Sequence, residues 1–315
     1  MNNMEKTNKL REESLEKLKK LQDAGIDPYP AKSNRNTTVA DFLADFDKGE
    51  EAIIVGRIRS VRWHGKIGFA DIEDESGKIQ IFFAKEKLEN FDIFSEALDI
   101  GDILEIKGKP YLTKAGQQSI EAIEARFLSK SIAPWPVEHF GIKDKEERFR
   151  KRYLDISLNE EVKANLIQKT KIIRAIRNYL EEKDFIEVNT PILQTLAGGT
   201  MAKPFRTHLE TLDMDLYLRI APELYLKRLL IGGFEKIYEI GPIFRNEGID
   251  REHNPEFTMT ELYYTYEDWE GLMEFTEDLL KEISKNTNNP LSKDAWQKVE
   301  FSEIIKEKTG LDYSK

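Results

Sequence analysis

The stretch GPIFRNEGIDREHNPEFTMTELY, residues 241–263, decides how the second half of the chain folds. Ile237 to Arg245 reads as one strand and Glu256 to Tyr266 as the next, with residues 246–255 forming the loop of a long hairpin. Side chains alternate faces along a strand, so Phe257, Met259, Glu261 and Tyr263 share one face, while Tyr264 and Tyr266 point to the other. A π-surface, a carboxylate and a phenol therefore point the same way. Arg245 ends the first strand, where a guanidinium can reach phosphate oxygens with two parallel hydrogen bonds. His253 and Asn254 lie on the loop.

Helices surround this hairpin. One is expected from about Asn159 to Lys183, with Ile167, Ile172, Ile173, Ile176 and Leu180 on one side. Phe185 to Val188 follows as a strand, ended by Thr190-Pro191. A second helix opens at Pro222 and stops near Gly232-Gly233. A third runs from Trp269 to Ser284 into a short tail. Helices mixed with antiparallel strands indicate an α+β domain.

Upstream the pattern changes. Residues 4–24 read as a charged surface helix with Leu10, Leu15, Leu18 and Leu21 as its apolar positions, stopped by Gly25 and Pro28. Short strands follow at Ile53–Val55, Ile67–Ile72, Ile79–Phe83, Ile103–Ile106 and Gln118–Ala125. A hairpin-type turn lies at Glu75–Lys78, and a helical stretch near Phe91–Leu98 precedes the fourth strand. Five strands in this order suit a small Greek-key barrel of the oligonucleotide-binding type. Pro134, Pro136 and Phe140-Gly141 mark a linker, followed by the basic cluster Arg148–Tyr153. The expected division is an N-terminal helical extension (1–50), an OB-fold barrel (51–130), a linker (131–147) and an α+β domain (148–315).

Composition narrows the function classes. The 315 residues, 40% hydrophobic and 34% charged, suffice for two cored domains with a well-solvated surface. The absence of cysteine excludes disulfides and thiolate metal sites. The four histidines, His64, His139, His208 and His253, lack zinc-ligand spacing. No apolar run of about 18 residues is present, and the Lys/Glu-rich N-terminus has no signal-like core, so a cytoplasmic protein without membrane contact is expected. A net charge of −10 argues against a generic nucleic-acid binder, so any RNA contact must use local basic patches.

Residues 241–263 resemble motif 2 of class II aminoacyl-tRNA synthetases. Arg-Asn-Glu-Gly at 245–248, His-Asn-Pro-Glu-Phe-Thr at 253–258 and Glu-Leu-Tyr at 261–263 are similar to the lysyl-tRNA synthetase version in particular. Phe185 to Pro191 resembles motif 1. Gly198-Gly199-Thr200, Lys203-Pro204-Phe205 and Thr207-His208 resemble the lysyl enzymes' loop, and Tyr217 to Leu229 is nearly their own segment. Gly65-Lys66, Phe69 and Ser76–Gln80 resemble their anticodon-binding barrel. Asn189, where the family usually has Glu, and Asp184, where it often has Gly, depart from the pattern.

The resemblance implies an OB-fold barrel followed by the N-terminal part of an antiparallel-sheet catalytic domain. It implies that lysine and ATP form lysyl-adenylate and that lysine then passes to the 3′ end of tRNA(Lys). It implies a catalytic Arg245, which holds the α-phosphate and the lysine carboxylate. Phe257 stacks on adenine, Glu247 meets the adenine amino group, and His253 and Asn254 serve the phosphate side. Glu261 and Tyr263 receive the ε-ammonium, while Glu223 and the Gly199 backbone receive the α-ammonium. Phe69, Gln80 and Arg62 read a U-rich anticodon. A homodimer forms through the motif 1 region. The third motif, a Gly-rich segment with an Arg, and the acidic Mg²⁺ ligands are expected after position 315. The chain is thus expected to be a truncated form, inactive by itself, with no metal ligand of its own.

Plainer readings of single residues stay open at this point. Phe69 suits a barrel core, Glu223 suits a helix N-terminus, and Arg245 suits a surface ion pair. Three alternatives for the whole chain are a non-catalytic tRNA-binding fragment, an aspartyl- or asparaginyl-type synthetase, and a paralogue that modifies protein lysines. The last is expected to lack the barrel.

Overall fold

The computed structural model describes residues 3–133, 135, 142–285, 287, 291 and 294–312. Pro134, Pro136, His139, Phe140 and Gly141 of the expected linker, and residues 313–315, lie outside the described residues. The chain divides into two compact units, residues 1–159 and 160–315.

In the first unit, α1 (Asn3–Asp23) and α2 (Val39–Ala44) precede a closed barrel. The barrel strands are β1 (Ala52–His64), β2 (Ile67–Glu73), β3 (Lys78–Ala84), β4 (Ile103–Leu112) and β5 (Gln118–Ser129), with α3 (Phe91–Ala97) before β4. Their spatial order is β1-β2-β3-β5-β4, and β4 closes on β1. β3 and β5 pair in parallel and the other neighbours are antiparallel, the five-strand arrangement that the sequence pattern implies. Alternation explains the core. Ile54, Ile58, Ala70, Ile72, Ile79, Ile81, Phe83, Leu104, Ile106 and Ile120 point inward. The β2–β3 turn is fixed by Asp74, whose carboxylate accepts from the Ser76 and Gly77 amides at 2.8 and 3.0 Å.

Helix α1 docks through Leu21, which is buried, whereas Leu10 and Leu15 stay exposed. Lys17–Asp99 and Lys20–Glu96 ion pairs, at 2.5 and 2.8 Å, tie it to α3 and the turn that follows. The basic cluster at 148–153 falls on two short helices, α4 (Lys145–Arg150) and α5 (Arg152–Leu158).

The second unit opens with α6 (Glu160–Glu182) and continues through β6 (Ile186–Glu187), β7 (Leu193–Gln194), β8 (Arg206–Leu209), β9 (Met214–Leu218) and α7 (Glu223–Ile231). The hairpin β10 (Lys236–Phe244) and β11 (Glu256–Tyr264) leads to α8 (Trp269–Ser284) and α9 (Phe301–Thr309). One sheet has the order β11-β10-β6, with β6 parallel to β10, and the other β7-β9-β8. Helix α9 replaces the tail expected from the sequence. Its signals are Phe301, Ile304 and Ile305 at helical spacing and Gly310 in the left-handed conformation after it (φ 74°). Asp184 is left-handed too, at φ 65°, which accounts for a position where Gly is at home.

One face of the β10–β11 hairpin is core. Tyr238, Ile240, Leu262 and Tyr264 pack with Tyr179 and Leu180 of α6, Phe185, and Phe275 and Leu279 of α8. The other face carries Glu239, Gly241 and Ile243 opposite Glu261, Met259 and Phe257. Tyr266 lies beyond the strand end and is exposed.

Candidate nucleotide, amino-acid and RNA sites

The hairpin loop is built by its own hydrogen bonds. The Arg245 amide donates to the Pro255 carbonyl at 2.8 Å, and the Asn246 amide to the Lys203 carbonyl at 2.7 Å. Asp250 organises the tip. Its carboxylate accepts from the Glu252 and His253 amides at 2.7 and 2.8 Å and meets His253 Nδ1 at 2.8 Å. These bonds hold the Asp250 carboxyl below its usual range, the Glu252 amide contributing most.

The result is a cavity of ≈280 Å³ lined by Arg245, Glu247, Gly248, Glu252, His253, Asn254 and Phe257. The five residues that the sequence suggests for a nucleotide therefore share one cavity. The Arg245 guanidinium lies 5.2 Å from the centre of the Phe257 ring, a cation–π contact. Its Nε is buried without a partner. A buried donor left unpaired costs free energy. The ion-pair alternative for Arg245 has no counterpart among the described residues.

Further along the same face is a set of carboxylates. Glu261 accepts from the Tyr263 hydroxyl at 2.8 Å and has no salt bridge among the described residues. Burial raises the Glu261 carboxyl above its usual range. The Tyr263 bond opposes this, while the charges of Glu223 and Glu239 add to it. Burial and the same carboxylate hold the Tyr263 phenol high.

Glu223 opens α7, and one of its oxygens pairs with Lys227 at 2.6 Å. The other oxygen faces Gly199, where a Cβ would stand 3.3 Å from it and 3.0 Å from the Glu223 Cβ. Gly199 has φ 95°, so both its conformation and the close approach suit glycine. The loop at Gly199, the start of α7 and strand β11 are thus brought together.

The sequence does not single out three neighbours of this set. Lys227 is four residues from Glu223 on a helix, a spacing that signals a pair. Glu239 faces Glu261 in the hairpin register, which counting outward from the loop would locate. Arg219, buried against Glu239, has no local signature.

The barrel presents a different surface. Phe69 of β2 is outside the barrel core. Its ring centre lies 5.3 Å from that of Phe82, which stacks on Tyr111 at 4.7 Å and 14°. These rings, with Arg62, His64, Ile67, Gln80, Thr113, Lys114, Ala115 and Gln117, line a cavity of ≈580 Å³ without a carboxylate. The Ser119 hydroxyl donates to Gln80 Oε1 at 3.1 Å, which leaves the amide nitrogen as the donor end. Arg62, Phe69 and Gln80 thus share one surface, and Phe82, Tyr111 and Lys114 extend it. The acidic chain has a locally basic, aromatic face here.

Comparison with known proteins follows the same division. The profile for tRNA synthetases class II (D, K and N) matches residues 144–315, and that for the OB-fold nucleic acid binding domain matches residues 52–128. The lysine–tRNA ligase of Syntrophomonas wolfei is 44% identical over 97% of this chain and 64% of its own length. That of Clostridium novyi is 42% identical over 98% and 63%, and that of a Thermoanaerobacter species 43% over 99% and 66%. The chain therefore spans just under two thirds of these relatives.

Proposed function

The chain belongs to the class II tRNA synthetases of the D, K and N group, and from this premise we propose that it is the lysine-activating and tRNA-binding part of a lysine–tRNA ligase. The reaction joins L-lysine to ATP as lysyl-adenylate and passes the lysyl group to the 3′ end of tRNA(Lys). The observation that carries the choice of amino acid is Glu261, a partly buried carboxylate with a phenol but no ion-paired cation among the described residues. A substrate ammonium supplies the missing charge. An aspartate side chain would meet repulsion from Glu261 and Glu223 together, and an asparagine amide would leave the carboxylate without a counter-ion.

The substrate carboxylate is already a nucleophile, so adenylate formation needs no catalytic base. The protein has to align this carboxylate with the α-phosphorus and spread the developing charge. Arg245 is the catalytic residue. Its guanidinium, which lines the loop cavity, bridges the α-phosphate and the lysine carboxylate. Phe257 stacks on adenine, Glu247 accepts from the adenine amino group, and His253 and Asn254 serve the phosphate side. At the other end Glu261 and Tyr263 hold the ε-ammonium. The free oxygen of Glu223 and the Gly199 backbone hold the α-ammonium. Mg²⁺ accompanying ATP would supply charge neutralisation at the phosphates. The described residues contain no cluster of three metal-liganding side chains, so none is assigned to it.

On the barrel, Phe69 stacks an anticodon base while Gln80 and Arg62 read its edge and backbone. No helix among the described residues is long and apolar enough to cross a membrane. A cytoplasmic homodimer, joined through the region of Phe185 to Pro191 and the helix before it, completes the reading. The test is calorimetric titration of the chain with lysine, ornithine, asparagine and aspartate, alongside lysine-dependent ATP–pyrophosphate exchange by the full-length gene product. Lysine alone should bind tightly and drive exchange. Preference for aspartate or asparagine would overturn the assignment.

A further inference from the structure

Glu239 and Glu261 are directly opposite in the β10–β11 register, so their side chains leave the same face of the sheet. Two carboxylates in that relation repel each other. The fold tolerates them because Glu239 has a cation of its own. Arg219, only 1% exposed, pairs through Nη1 with Glu239, which is 3% exposed. The other Glu239 oxygen accepts from the Thr190 hydroxyl at 2.6 Å and the Thr190 amide at 3.2 Å. Arg219 Nη1 also donates to the Thr190 hydroxyl oxygen and carbonyl at 3.2 and 3.3 Å, and its Nε donates to the Pro242 carbonyl at 2.9 Å.

Room for the guanidinium exists because residue 241 is glycine, since a Cβ there would lie 2.3 Å from Arg219 Nη2. Both oxygens of Glu239 are engaged inside this network, so it offers no obvious place for a ligand. Arg219, Glu239 and Glu261 together leave one negative charge, and Glu261 holds it on the open side.

We propose that the buried Arg219–Glu239 pair is a positioning device for Glu261, fixing the charge and placement of the carboxylate that selects a cationic substrate. The inference rests on the lysine reading of the site and deepens it. Neutralising Glu239 would turn Arg219 into an unbalanced positive charge behind Glu261, opposing the incoming ammonium. Removing Arg219 would leave two unneutralised carboxylates side by side. The charged and titratable groups facing Glu261 are Glu223 and Lys227 from α7, Glu239 from β10, Arg219 behind it, and Tyr263 from its own strand.

The experiment compares Glu239→Gln with the unsubstituted chain by calorimetric titration with lysine and with ATP across a range of pH, folding being checked by circular dichroism. Lysine affinity at neutral pH should fall about tenfold or more, while ATP affinity stays within about twofold. Glu239 helps to raise the Glu261 carboxyl. The pH at which lysine binding is lost on acidification should therefore move downward in the variant. A purely structural pair would weaken lysine and ATP together and leave that pH unchanged, and this result overturns the proposal. So does unchanged lysine affinity.

Should Glu239→Gln fail to fold, Thr190→Val removes the 2.6 Å bond to Glu239 and keeps both charges. It should weaken lysine about threefold and spare ATP, and unaltered lysine affinity again overturns the inference. Absence of lysine binding by the unsubstituted chain sinks the functional reading itself. Equal binding by chain and variant sinks only this inference.

Discussion

The barrel and the hairpin sheet use the same device, period-two alternation, to opposite ends. In the barrel the inward positions are apolar, and the outward ones on β2 and β3 present Phe69 and Phe82, with Tyr111 of β4 beside them. In the hairpin one face packs on α6 and α8, while the other gathers Arg245, Phe257, Glu239 and Glu261. The barrel surface is aromatic and half-buried, with cations at its rim. The hairpin face is half-buried and dense with charge. An aromatic surface accepts any base with a π-face, whereas a buried carboxylate accepts little but a cation of the right reach. The two faces thus differ in the kind of group they present, rings on the barrel and carboxylates on the hairpin.

The sharpest way to break this comparison is Glu261→Gln. Lysine affinity should fall about thirtyfold or more, since truncating one partner of a desolvated charge pair costs roughly 2–5 kcal/mol, while ATP affinity should barely change. Calorimetric titration with each ligand checks both. The same variant should be more stable than the parent at neutral pH. The Glu261 carboxyl is raised in the folded state, mainly by burial, so its ionised form opposes folding. The cost is present above the folded-state value and disappears as pH falls below the ordinary carboxylate value of about 4.3. Thermal melts at neutral and acid pH should show the variant's advantage only at the former.

Gly241→Ala tests whether the charged face depends on its buried guanidinium. The methyl group would lie 2.3 Å from Arg219 Nη2. Overpacking of this kind costs about 1–3 kcal/mol, readable in urea unfolding, and lysine affinity should drop with it. An unchanged unfolding midpoint would show that Arg219 has another place to go.

A similar magnitude, confined to RNA binding, is expected on the aromatic barrel surface. Phe69→Ala should weaken binding of a tRNA anticodon stem-loop bearing UUU by about 1–3 kcal/mol in gel shift and leave lysine affinity unchanged. A matching loss of lysine binding would point to misfolding instead of a lost stack.

Much of this was legible in the residues. Ile67 to Phe83 announces two strands by alternation, and Ser76-Gly77 a turn between them. Residues 241–263 show a hairpin whose one face holds Phe257, Met259, Glu261 and Tyr263. Local signals for α9 were present at Phe301, Ile304, Ile305 and Gly310, but a single short amphipathic turn pattern is weak against a polar, irregular stretch before it. Whether Phe69 faces the core or solvent could not be read from β2 alone, because the strand carries large residues on both faces.

Strand alternation, the hairpin and the order of chemical groups along it were determined by the sequence, because they arise from backbone periodicity acting over a few residues. Which carboxylates keep a cation of their own was decided only in three dimensions. Arg219 reaches Glu239 across 20 positions and closes on Thr190 across 29. Glu261 is left with Tyr263. Burial and charge pairing depend on which distant segments exclude water from the same spot, and no local pattern encodes that.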